Sequence, residues 1–147
     1  MIKLKSNSKN YKSLISYAIK TCTCASLVFE KNEFNSSEYF FQREYEVILD
    51  SITKKECLTI HPDTGSCFND ADIIYFKLTK SITSFLISAD NIFNWDGRNL
   101  PEELCFYRNG KVWLTCICHE KLTNIRNETV DDINFFKSNK IQFEVDA

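Results

Sequence analysis

The sequence predicts an α+β fold, an antiparallel sheet with about four helices packed against it. Two strand-like runs, Leu104 to Arg108 and Lys111 to His119, flank Asn109-Gly110. Both turn residues tolerate positive φ, which favours a type I′ hairpin. Elsewhere Tyr11, Leu14, Ile15, Ala18 and Cys22 repeat at helical spacing, as do Ile82, Phe85, Leu86, Ala89, Ile92 and Phe93. No repeat, low-complexity tract or Pro/Gly/Ser linker interrupts the 147 residues, so positions 1–147 read as one domain.

In chain order, the stripe from Tyr11 predicts an N-terminal amphipathic helix that packs on the domain's own core. Ala25 to Phe29 is β-like or extends that helix, and the polar residues 32–37 predict a turn. Ser37 is placed to cap a second helix with Phe41, Tyr45, Ile48, Leu49 and Ile52 as its apolar stripe and Lys54-Lys55 near its end. Pro62-Asp63-Thr64-Gly65 predicts a turn and Ile73 to Leu78 a strand. A third helix is expected to start at Ser81 or Thr83 and to end at Asp96-Gly97.

The Asn109-Gly110 hairpin sets Tyr107 opposite Val112 and Cys105 opposite Leu114. Strict alternation puts Val112, Leu114, Cys116 and Cys118 on one face of the second strand. Trp113, Thr115 and Ile117 fall on the other. With both faces apolar, that strand is expected to be central in its sheet. Leu122 to Arg126 extends the meander. Thr129 caps a short helix with Asp131 and Asp132 in its first turn, and Ile141, Phe143 and Val145 alternate in a last strand.

Composition narrows the function. Twelve Phe and six Tyr predict a bulky aromatic core, and three Gly leave little for a phosphate-cradling loop. Seven cysteines cannot form a complete internal disulfide set, and Met1 to Lys5 is followed by a polar stretch instead of a signal-peptide apolar run. Free thiols and a cytoplasmic location are therefore expected. No apolar stretch approaches a membrane span, so no membrane partner is expected. The net charge of −2 is uneven: residues 1–20 carry five lysines and no acid, which leaves −7 for the other 127 residues. An acidic body argues against nucleic acid and suits a basic protein partner.

The catalytic patterns fail at nameable positions. Cys22-x-Cys24 and Cys116-x-Cys118-His119 have one residue between paired cysteines where zinc sites use two to four, so buried thiols and no metal are expected. His119-Glu120 begins a metalloprotease motif, but Thr123 stands where the second histidine belongs. Cys57 and His61 lack a marked oxyanion hole, and Asp63-Thr64-Gly65 occurs once where aspartic proteases use the triplet twice. No catalytic residue and no cofactor are expected. The remaining candidates form an acidic docking face for a partner: Asp70, Asp72, Glu102, Glu103, Glu120, Asp131 and Asp132, with His119 and the aromatic residues Trp95, Tyr107 and Trp113, all taken as exposed.

Leu100-Pro101-Glu102-Glu103-Leu104-Cys105-Phe106, followed by Trp113-Leu114 and His119-Glu120, resembles a family of small bacterial proteins often labelled sporulation stage III AH-like. The similarity covers about a third of the chain, with Trp95 upstream. It departs at His61-Pro62-Asp63-Thr64, where the family shows tryptophan, proline and glycine. The resemblance implies an α+β fold and supplies no catalytic residues. In type, the acidic-bodied chain with scattered cysteines resembles immunity proteins of bacterial toxin systems, including contact-dependent growth inhibition. That resemblance implies a cognate toxin, for instance a basic nuclease, as partner. The alternative is a small metal-binding protein or enzyme using His119, Glu120 and nearby cysteines.

Overall fold

The computed structural model describes residues 1–5, 8–33, 36–43 and 45–146, with side chains except those of Ser8 and Val47. It contains four α-helices and an eight-stranded antiparallel sheet. The strands are β1 (Ile2–Lys5), β2 (Cys24–Glu30), β3 (Ile52–Ile60), β4 (Cys67–Lys77), β5 (Glu102–Arg108), β6 (Lys111–Ile117), β7 (Leu122–Ile125) and β8 (Gln142–Val145). The helices are α1 (Ser8–Thr21), α2 (Ser37–Arg43), α3 (Lys80–Ile87) and α4 (Val130–Ser138). The sheet order is β3-β4-β2-β5-β6-β7-β1-β8. No helix among the described residues is long and apolar enough to cross a membrane.

Alternation sorts the strands into two faces. Ala25, Leu27 and Phe29 of β2 and Ile74 and Phe76 of β4 join the main core with Tyr11, Leu14, Phe40, Phe85 and Phe136 from the four helices. Val28, Ala71 and Ile73 point the other way and form a second cluster with Phe68, Leu58 and Tyr75. The aromatic core expected from composition is present: Phe40 meets Phe29, Phe85 and Tyr45 at centroid distances of 5.4, 5.6 and 5.9 Å. Trp95 is fully buried, edge-on to Phe85 at 5.3 Å, and its Nε1 donates to the Tyr11 hydroxyl at 3.0 Å.

Several expectations need correction. The second helix stops at Arg43, and a 3-10 turn, Glu46–Ser51, follows. Ser37 lies inside α2 with its hydroxyl donated to Asp72 Oδ2 at 3.0 Å, and Leu49 is exposed. Lys54-Lys55 belongs to β3, an edge strand whose exposed Thr, Lys and Glu residues give no apolar period to read. The N-terminal residues form β1, wedged between β7 and β8. Thr79, not Ser81 or Thr83, precedes α3, which ends at Ile87; Ile92 and Phe93 lie in a separate 3-10 turn. The turn expected over 32–37 includes positions 34 and 35, which lie outside the described residues.

The hairpin forms with Asn109 at φ 53° and Gly110 at φ 76°. Tyr107 pairs with Val112 as expected, but Leu114 pairs with Phe106 instead of Cys105, because a bulge lets Val112 and Trp113 occupy one step of the ladder. The bulge moves Trp113 onto the helix face, into the main core. Strand β6 also ends at Ile117, so His119 sits in a 3-10 turn, Cys118–Glu120. A Cβ on Gly110 would meet nothing within 4 Å, so the cost of Gly110→Ala is conformational. We expect a loss of about 1 kcal/mol, read from the denaturant midpoint.

The β3–β4 hairpin curls back over the second face of the sheet. His61 Nδ1 accepts from the backbone N–H of Asp63 and Thr64 at 3.1 and 3.3 Å and locks the turn. From that turn Thr64 Oγ1 donates to Glu103 at 2.9 Å and Asp63 accepts from the Tyr107 hydroxyl at 2.7 Å. The hairpin tip therefore passes over β2 to reach β5.

Candidate functional site

The start of β5 carries two adjacent acids that the fold hides from water. Glu102 is 4% and Glu103 1% exposed. Glu103 has a positive φ of 55°, and its N–H donates to Trp95 O at 3.1 Å, while Asp96 and Glu102 form an isolated bridge. Gly97 makes room for the Glu102 carboxyl: a Cβ there would lie 3.1 Å from Cδ and from Oε1. Any larger residue would press the carboxyl aside by a few tenths of an ångström and would be strained at the Gly97 φ of 88°.

The two acids find different partners. Glu103 accepts from the hydroxyls of Thr64 and Ser66 in the curled hairpin. Glu102 meets His119, whose Nε2 lies 3.0 Å from Oε2. The His119 side chain is 66% exposed against 5% for Glu102, so the imidazole covers the carboxyl from the solvent side. Lys121, left-handed at φ 56°, ends the 3-10 turn that presents His119.

The electrostatics follow from burial. Desolvation pushes the Glu102 carboxyl up to about 7; the His119 hydrogen bond opposes this and the charge of Glu30 adds to it. Glu103 is raised by burial against the Ser66 and Thr64 hydrogen bonds. Glu30 is raised by burial, then by the charge and hydrogen bond of Glu33. The charge of Glu120 also acts on Glu103. Around His119, five acids thus share one neighbourhood. Among the described residues none of them is ion-paired to a lysine or arginine. Buried carboxylates without a cation are costly, and such strained acids concentrate at functional sites.

The other candidates fall elsewhere. Asp132 is fully buried and structural: Arg108 binds both carboxylate oxygens at 3.0 and 3.2 Å, Trp113 Nε1 donates at 3.0 Å and the Tyr17 hydroxyl at 2.6 Å. With Thr129 it also forms the capping box of α4. Asp131 is exposed beside it. Asp70 and the buried Asp72 sit in the first half and middle of β4, with Lys31. Trp95 and Trp113 are buried and Tyr107 half-buried, which corrects the expectation of exposed aromatic anchors. Apolar positions on a two-sided sheet are claimed by the core before any partner arrives.

Cys116 and Cys118 turn their thiols to Ile92 O, at 3.8 and 3.4 Å. Cys57 and His61 are not brought together either, since Cys57 bonds Lys31 and Asp72. No group of three or more His, Cys, Asp or Glu among the described residues could hold a metal ion, and all seven cysteines are free. Sequence reasoning singled out Glu102, Glu103, His119 and Glu120 but missed Glu30, Glu33, Thr64 and Ser66. The Pro62-Asp63-Thr64-Gly65 turn was a visible signal, but its target lies 39 residues away in Glu103.

Fold and site together define an α+β protein whose distinguishing feature is an acidic recess plugged by a histidine. No protein-family model matches the chain, and neither a curated protein nor a solved structure matches it.

Proposed function

We propose that this chain is an immunity-type protein of a bacterial toxin system, such as contact-dependent growth inhibition. It binds a cognate toxin domain in the cytoplasm and neutralises it by protein–protein contact. The observation that carries the proposal is the recess: a buried carboxyl, Glu102, held by an exposed histidine and ringed by Glu30, Glu33, Glu103 and Glu120. Such a site favours a cationic side chain. A lysine or arginine of the partner takes the place of His119 on Glu102 and supplies the missing countercharge. Toxins that cut nucleic acid carry basic surfaces, which the acidic body attracts and steers. The resemblance in type to immunity proteins points the same way.

The test is a titration of the purified chain with the toxin domain encoded beside its gene, together with survival of cells expressing both. A one-to-one complex of nanomolar affinity, about −12 kcal/mol, is expected. Glu120→Lys, at the exposed rim, should weaken it about tenfold and flatten its salt dependence. Absence of a complex and of protection sinks the proposal. Full affinity in Glu120→Lys would move the docking face away from the recess.

A further inference from the structure

Directly after Glu30 a second constellation begins, and its chemistry is independent of any partner. Lys31 follows β2, and its backbone N–H donates to Asp70 O at 3.0 Å. Its ammonium reaches over β4 to the edge strand, where Nζ lies 3.3 Å from Cys57 Sγ. Two carboxylates of β4 hold it there, Asp70 at 3.2 Å and Asp72 at 3.6 Å. The Cys57 thiol donates to the same Asp72 oxygen at 3.4 Å. Asp72 is itself 2% exposed and anchored by Ser37 and Lys55, at 3.0 and 3.5 Å. A buried, hydrogen-bonded carboxylate thus positions an amine and a thiol against each other at the surface, where Cys57 is exposed. Cys67 is also exposed but has no amine in hydrogen-bond contact among the described residues.

We propose that Lys31 and Cys57 form a peroxide-driven covalent cross-link, a sulfenamide between Nζ and Sγ. Hydrogen peroxide first oxidises the thiol: Cys57–SH and H₂O₂ give Cys57–SOH and water, with sulfur oxidised and the O–O bond cleaved. The Lys31 amine then attacks the same sulfur. The N–S bond forms, the S–O bond breaks, and the hydroxyl leaves with an amine proton as a second water. Sulfenic acids condense with nitrogen nucleophiles in this way when one is within reach. Thiols reverse the link: one molecule displaces the amine to give a mixed disulfide, and a second releases Cys57 as the free thiol. The link ties the end of β2 to the edge strand β3 across β4, so the oxidised protein is the more heat-stable form. The attacking amine must be unprotonated, while Cys57, Asp70 and Asp72 hold Nζ as the ammonium. Lys55, the other cation on Asp72, competes for that carboxylate. Cross-link yield therefore rises with pH above neutrality.

Peptide mass mapping of the full chain after hydrogen peroxide treatment tests this. The expected product is a linked pair of peptides containing Lys31 and Cys57, lighter by two hydrogen atoms than the reduced pair and lost on adding dithiothreitol. Melting temperature should rise on oxidation and fall back on reduction. Cys57→Ser should abolish the link. Lys31→Arg should leave Cys57 as a sulfenic acid that a dimedone probe captures, because a guanidinium is a poor nucleophile. Oxidation of wild-type Cys57 to sulfinic or sulfonic acid with Lys31 unmodified would overturn the proposal. So would a link that retains the oxygen atom, or equal loss of Cys57 and Cys67 with no linked peptide.

Discussion

Asp132→Ala should be the most damaging single change, lowering stability by about 3–5 kcal/mol in chemical denaturation. The carboxylate ties three elements: α4 through its capping box, β5 through Arg108 and α1 through Tyr17. Removing it strands the Trp113 N–H and a guanidinium that stacks 4.6 Å from the Trp113 ring. Burial pushes the acid up, but the bonds from Arg108, Tyr17, Thr129 and Trp113 outweigh it and hold the carboxyl at about 2, against an ordinary 3.8. An acid with a depressed folded pKa contributes stability above its unfolded value and loses it as pH falls towards the folded one. Close to two units are worth about 2 kcal/mol, lost between roughly pH 4 and 2. The acid limb of the wild-type stability profile should therefore flatten in Asp132→Ala.

Glu102→Gln should move stability and binding in opposite directions. The acid rises from 4.5 to about 7 on folding, so the folded state holds its proton more tightly. Stability is then lost as pH climbs from about 4.5 to 7, by on the order of 3 kcal/mol. Glutamine keeps the shape and a hydrogen bond but never ionises, so the variant should be more stable than wild type at pH 8 and indistinguishable at pH 5. Its affinity for the proposed toxin partner should fall at least tenfold at pH 8, about 1.4 kcal/mol or more. Wild-type affinity should decline as pH drops through 7, and the variant should lose that component. Glu30 and Glu103, also raised by burial, contribute a weaker dependence of the same sign. A glutamine variant that is stabilised yet binds normally would make Glu102 a structural residue. One that binds weakly because it is unfolded would be betrayed by its melting curve.

Combining the two acids, stability should peak at about pH 4–5, between the loss of the Asp132 contribution and the charging of Glu102. This order of events comes from where two carboxyls were placed. Asp132 has a guanidinium, an indole N–H and a helix N-terminus around it. Glu102 has one histidine and other acids.

Local signals carried much of the architecture. The α1 stripe, the Asn109-Gly110 hairpin, the Thr129 cap and the last alternating strand all depend on residues within a few positions of one another, where propensity and periodicity act. What was illegible depended on partners far along the chain. Strand β3 has no apolar pattern, because an edge strand buries little, and β1 became a strand by fitting between β7 and β8. The bulge beside Trp113 adds one residue to the ladder, and that single step moves a tryptophan to the opposite face.

The sequence by itself determined the α+β class, the central position of β6 and the residue types of the site: paired acids at Glu102-Glu103 and a histidine at His119. Tertiary structure decided which acids are tension and which are scaffold. Asp132 and Glu102 look alike in sequence, each an acid beside another acid. The chain folds Arg108 onto the first and leaves the second against an exposed imidazole. The physical reason is that a carboxyl's role is set by its desolvation and by the charges facing it. Both quantities exist only once strands distant in sequence have been brought side by side.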